Sequence, residues 1–110
     1  MGRLYVTADV HATNRIGDTA LYLAVDNGQF YTVKALISRR ASVNTHNIGG
    51  WTPLMMASAR GDLEVMELLL EHGADFRPRN RWEATALSEA KRSFRPLSAV
   101  QILQQAGATE

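Results

Sequence analysis

GWTPLMMASARGDLEVMELLLEHGAD, from Gly50 to Asp75, is the stretch whose reading decides the fold. It opens as a helix start. The Thr52 hydroxyl can cap free amide N–H groups, and Pro53 falls in the first turn, where its missing N–H costs nothing. The residues just before it, Asn47-Ile48-Gly49-Gly50-Trp51, read as a turn by their Asn and Gly content. Gly61 predicts the end of this short helix, because glycine takes the left-handed conformation cheaply, and Asp62 can cap the next one. That second helix is expected from Leu63 to His72. It carries Leu63, Val65, Met66, Leu68, Leu69 and Leu70, an apolar face too broad for a single neighbour, so it should be packed on several sides. Gly73 supplies its C-terminal stop.

Working outward, the same order of residues recurs. Thr19, Thr52 and Thr85 are 33 apart at each step, as are Leu21, Leu54 and Leu87, and Ala24, Ala57 and Ala90. Gly28 and Gly61, Leu36 and Leu69, and Ala41 and Ala74 keep the spacing. A fixed period of this length is the signature of a repeat solenoid. The 110 residues hold three such periods with 11 left over.

On these residues the chain resembles the ankyrin repeat family. Gly50 to Asp75 follows the pattern G-x-T-P-L…A…G…V…L-L…G-A-D almost throughout. Gly17 to Asn44 is similar but looser, Glu83 to Ala108 diverges most, and Ala8 to Asn14 resembles only the tail of a preceding repeat. The resemblance implies an all-α ankyrin-repeat solenoid of about three helix-turn-helix repeats joined by hairpin-like loops. It forms a single domain, with a remnant over 1–13, repeats over 14–46 and 47–79, and a C-terminal capping repeat over 80–110.

The departures carry expectations of their own. Arg40 stands where Gly73 stands in the next copy, so either repeat one tolerates a strained left-handed residue, at ~1–2 kcal/mol, or its second helix ends differently. Phe94 replaces the glycine that Gly61 predicts. The third copy holds one extra residue, expected within 91–96, with Pro96 then early in the last helix. Glu89, Gln101, Gln104 and Gln105 give that copy the polar face of a cap. At the other end, Leu4, Tyr5 and Val6 are expected as the last turn of a truncated helix over repeat one. Parts of Leu21, Val33 and Leu36 would then lie near solvent. That edge suits either a missing preceding repeat or self-association.

Composition narrows the function. Hydrophobic residues make up 45% and charged residues 21%, as in ordinary globular domains. No apolar run approaches the ~18 residues that would span a membrane. The absence of a secretory stretch and of cysteine favours the cytoplasm or nucleus, and removes disulfides, cysteine–zinc sites and thiol catalysis. A net charge of +1 does not demand a nucleic-acid partner.

Reactive constellations are lacking. His11, His46 and His72 are too scattered for a metal site, and His72 suits a helix C-terminus. Gly49-Gly50 lacks the Lys-Ser/Thr of a phosphate loop. Glu64, Glu67 and Glu71 recur at helical spacing with Asp62, which reads as a solvated helix face and not as paired acid–base groups. No catalytic, metal or cofactor residues are therefore assigned.

What remains is a surface. In ankyrin-like proteins partners usually bind the concave face made by turn tips and short inner helices. Carried onto this sequence, the variable turn positions are Arg15, Ile16 and Asp18, then Ile48, Gly49 and Trp51, then Arg81, Trp82 and Ala84. Tyr22, Met55 and Ser88 replace the family's frequent inner-helix histidine and would border the groove. Trp and Arg most often carry interface energy. The expected contact set is therefore Arg15, Ile48, Trp51, Met55, Arg60, Arg79, Arg81, Trp82 and Arg92, with Ile48 and Met55 as apolar floor. The alternative for each indole is packing over its neighbouring repeat. Five acids and no bases between Gly61 and Asp75, then six bases against two acids between Arg77 and Arg95, point to a protein or acidic peptide partner. Nucleic-acid binding through the arginines is the lesser reading, since the net charge is near zero and an acidic helix lies beside them.

Overall fold

A computed structural model describes residues 9–109. Among the described residues six helices follow in order: α1 (Ala20–Asp26), α2 (Phe30–Ser38), α3 (Pro53–Arg60), α4 (Leu63–Glu71), α5 (Ala86–Lys91) and α6 (Pro96–Gln105). The reading of Leu4, Tyr5 and Val6 lies outside the described residues.

The repeated threonine sets where each inner helix begins. The hydroxyls of Thr19, Thr52 and Thr85 accept from the backbone N–H of Tyr22, Met55 and Ser88, each at 3.1 Å. Pro53 opens α3 and Pro96 opens α6. Gly61 ends α3 in the left-handed conformation (φ 63°), and the Asp62 carboxylate accepts from Val65 N–H at the start of α4. His72 follows the last turn of α4, with its Nδ1 3.0 Å from the Leu68 carbonyl.

Each outer helix closes in the same way. Ala41, Ala74 and Ala108 N–H groups reach back to the carbonyls of Leu36, Leu69 and Leu103, which forces the residue before each into positive φ. Gly73 and Gly107 accept that freely. Arg40 stands there with φ 72°, so repeat one keeps the closure and tolerates the strain. Phe94 is exposed in the loop that carries the third copy's extra residue.

Packing is in two layers. The inner helices α1, α3 and α5 lie side by side, the outer helices α2, α4 and α6 lie behind them, and each pair packs on the next. The result is elongated, 46 × 26 × 22 Å, as expected when each unit touches only its neighbours. The core runs continuously through Leu21, Val25, Val33, Leu54, Val65, Met66, Leu69, Leu87 and Leu103. The expectation that Leu21 and Val33 lie near solvent is overturned: both are fully buried, and Leu36 is half-buried.

Candidate functional site: the turn row and the tryptophan groove

The turns are organised by an asparagine that recurs with the same period. The Oδ1 atoms of Asn14, Asn47 and Asn80 each accept two backbone N–H groups of their own turn. The donors are Ile16 and Asp18, then Gly49 and Trp51, then Trp82 and Ala84, at 2.9–3.1 Å. Successive turns are then joined edge to edge. Ile48 N–H donates to the Ile16 carbonyl at 2.8 Å, and Arg81 N–H donates to the Gly49 carbonyl at 2.9 Å. Close approach explains the turn glycine: a Cβ on Gly50 would lie 3.0 Å from Asn80 Cα. Glu83 occupies that place in the last described turn, at φ 64°.

This ladder fixes which side chains meet. Ile16, Gly49 and Trp82 share one position of the turn, and Asp18, Trp51 and Ala84 share another. Gly49, lacking a side chain, lets two indoles converge on it: a Cβ there would be 3.3 Å from both Trp51 Cδ1 and Trp82 Cζ3. Trp51 is half-buried, whereas Trp82 remains 70% exposed. Together with Asn80, Ala84, Glu89 and Arg92 they line an open groove of about 520 Å³. Three expected contacts, Trp51, Trp82 and Arg92, are thus brought together.

The other expected contacts separate into two groups. Arg15, Ile48 and Arg81 are exposed at one shared position of the turn tips, beside the groove but not among its walls, so Ile48 is not a floor residue. Met55, Arg60 and Arg79 stand apart from the groove walls. Met55 is 1% exposed, because its place on α3 points between inner helices and not into the concavity. Tyr22 is likewise buried, and Ser88 closes a capping box with Thr85. Arg60 Nη1 donates to the Asp26 carbonyl at 2.7 Å, strapping repeat two to repeat one above Gly28. Arg79 Nη1 donates to the Glu83 carbonyl at 3.1 Å. It lines a different hollow, with Phe76, Arg77, Thr85, Leu87 and Gly107, and does not reach the tryptophans.

Residues missed by the sequence reading are Asn80 and Glu89 on the groove walls. The 33-residue spacing of Asn14, Asn47 and Asn80 was a sufficient signal for the first. Electrostatically, two places stand out. Burial pushes the Tyr22 hydroxyl up to about 12, reinforced by the Asp18 and Asp26 carboxylates and opposed by a hydrogen bond with Asn47. The Arg77 guanidinium holds the Asp75 carboxyl below its ordinary value through a 2.9 Å ion pair. Glu64, Glu67 and Glu71 lie exposed on α4. Among the described residues no group of three or more His, Cys, Asp or Glu side chains is placed to hold a metal ion.

Paired helices stacked in a row, with hydrogen-bonded turns along one edge, define a helical repeat solenoid. Matches to the family described as ankyrin repeats, in three copies, cover residues 3–80 and 40–109. The chain belongs to the ankyrin repeat family. It is 38% identical over 68 residues to palmitoyltransferase AKR1 of Lachancea kluyveri, covering 62% of this chain and 9% of that protein. It is 39% identical over 67 residues to the ankyrin repeat-containing protein ITN1 of Arabidopsis thaliana, covering 59% of this chain and 11% of that one. Over 58 residues it is 41% identical to the 26S proteasome non-ATPase regulatory subunit 10 of Dictyostelium discoideum, with 52% and 25% covered. The chain therefore spans only about a tenth to a quarter of these relatives. Repeats of this family generally serve as protein–protein interaction modules.

Proposed function

We propose that this chain is a non-catalytic module that grips an extended, acidic segment of a partner protein in the groove between Trp51 and Trp82. The observation that carries the reading is the convergence of the two indoles on Gly49 while Trp82 keeps 70% of its surface exposed. A large rigid ring left in water at the rim of a groove offers contact area with little ordering cost. The ladder that places it is held by backbone hydrogen bonds and by Asn80, so the site is preorganised. Arg92 on the same groove supplies a guanidinium fork for a carboxylate. Arg15 and Arg81 extend positive charge along the turn tips.

Trp82→Ala tests this directly. Affinity for peptides selected on the wild-type chain is expected to fall by about 2 kcal/mol, as for an interface anchor, with the melting temperature nearly unchanged. Equal loss of folding and binding would make the indole a packing residue and end the reading.

A further inference from the structure

The two junctions between turns are built from the same asparagine but completed differently. At the first, Asn47 Nδ2 donates to the Asp18 carboxylate at 2.9 Å. One period later Asn80 takes the place of Asn47, and Trp51 takes the place of Asp18. Asn80 Oδ1 is engaged by Trp82 and Ala84 N–H, at 2.9 and 3.0 Å. Its Nδ2 is sealed from water and has no hydrogen-bond partner, on a residue only 5% exposed. An indole carbon framework accepts nothing where a carboxylate oxygen stands in the preceding junction. A buried amide donor left unpaired is costly, and one on the wall of an open groove calls for an acceptor that the groove can admit. Asn80 and Trp51 both line the groove, so the missing acceptor belongs on the groove wall.

We propose that Asn80 Nδ2 anchors an Asp or Glu side chain of the bound partner segment, which supplies from outside the carboxylate that Asp18 supplies from within. The inference rests on the groove reading and adds its specificity. The incoming carboxylate reaches Nδ2 when the Trp51 ring, the wall on that side, turns aside, so Trp51 acts as a movable cover over the donor. Arg92 favours the acid electrostatically. Glu89 on the same groove disfavours a second one, so a single acidic position is selected.

Two substitutions address the donor without dismantling the turn. Asn80→Asp keeps the oxygen that holds Trp82 and Ala84 N–H and replaces the donor by a second acceptor. Trp51→Asp rebuilds the first junction at the second, with Trp51→Ala as its control. The probe is a library of random peptides displayed on phage, panned on the wild type, Asn80→Asp and Trp82→Ala chains. Binders from the wild type are expected to share one acidic position. A synthetic binder should lose about tenfold or more in affinity on Asn80→Asp, and similarly when its own acid is changed to the amide. Without any ligand, Trp51→Asp should melt higher than Trp51→Ala, and that gap should vanish when Asn80→Asp is combined with each. Binders that lack an acid, an acidic peptide indifferent to Asn80→Asp, or an absent melting gap would overturn carboxylate capture; the first would also remove the acidic character of the segment, and each would leave the groove between the indoles standing. Binders that ignore Trp82→Ala would remove the groove reading, and this inference with it.

Discussion

Repeat one and repeat two share a threonine cap, a closing hydrogen bond and a turn asparagine, yet they fill four corresponding places with different chemistry. Asp18 faces Trp51, Tyr22 faces Met55, Val25 faces Ser58 and Arg40 faces Gly73. Where the place lies between inner helices, shape is restricted but polarity is not: Tyr22, Met55, Val25 and Ser58 are all buried. Where it lies at the end of an outer helix, the backbone conformation is imposed and the side chain is free, so an arginine is tolerated at a cost. Where it lies just before the threonine cap, the turn asparagines meet it: Asp18 accepts from Asn14 Nδ2 of its own turn and from Asn47 Nδ2 across the junction. At that place repeat one carries a carboxylate and repeat two an indole, and there the tryptophan groove opens. Shared backbone geometry thus tolerates different chemistry at corresponding places of the two repeats.

The largest effect expected from this comparison is at Met55. Cutting a side chain with 1% exposure to Ala leaves a cavity between α1, α3 and α5, and should lower stability by about 2–5 kcal/mol in chemical denaturation. Trp82→Ala, from the exposed end of the same repeat junction, should stay within roughly 0.5 kcal/mol of the wild type. If the two substitutions destabilised equally, the separation between a packed position and a gripping one would be false.

Tyr22 gives the corresponding place in repeat one a pH dependence that Met55 cannot have. The phenol ionises at 10.0 when unperturbed and at about 12 in the folded chain. Above pH 10 the unfolded chain is therefore stabilised by releasing a proton that the folded chain still holds. The contribution linked to this proton is fully present below pH 10 and is lost as the pH rises towards about 12. The denaturation midpoint of Tyr22→Phe should fall less steeply across that window than that of the wild type. An unchanged slope would place the hydroxyl in water.

Arg40 and Gly73 permit an exchange. A Cβ added to Gly73 meets nothing within 4 Å, so Gly73→Ala reads backbone strain less the freedom that alanine removes from the unfolded chain, about 1 kcal/mol of net destabilisation. Arg40→Gly relieves the same strain at φ 72° and should gain about 1 kcal/mol once the extra freedom of glycine in the unfolded chain is subtracted. Thermal melts of both variants check the pair. A stabilising Gly73→Ala would show that the closure does not require positive φ.

Much of this was legible before any coordinates. A 33-residue period in Thr, Leu, Ala and Gly fixed the helix pairs, their starts at Thr19, Thr52 and Thr85, and the stops at Gly61 and Gly73. Caps and glycine stops are local, so they can be read from a few neighbouring residues. The groove was less legible because it depends on rotation about a helix axis and on long, flexible side chains. Met55, expected as groove floor, is instead buried. The arginines expected around the tryptophans make separate contacts in the stack. Arg60 straps the first two repeats, Arg79 holds the last described turn, and Arg92 alone of the three lines the groove. The indoles were legible as exposed candidates. Their convergence on Gly49 was not, since it requires two turns to be laid edge to edge.

The smallest effect sharpens the comparison inside the core. Val25 and Ser58 are both fully buried at the same place of successive inner helices, and Ser58 Oγ finds no hydrogen-bond partner there. Burying a hydroxyl without an acceptor costs free energy that a methyl group does not incur. Ser58→Ala removes the polar atom with almost no change of volume, and should raise stability by up to about 1 kcal/mol, read as a shift in denaturation midpoint at constant slope. Val25→Ser makes the reverse substitution in repeat one and should lower it. A Ser58→Ala chain less stable than the wild type would mean that the hydroxyl is paired in solution, and that the second repeat uses a polar contact where the first uses only packing.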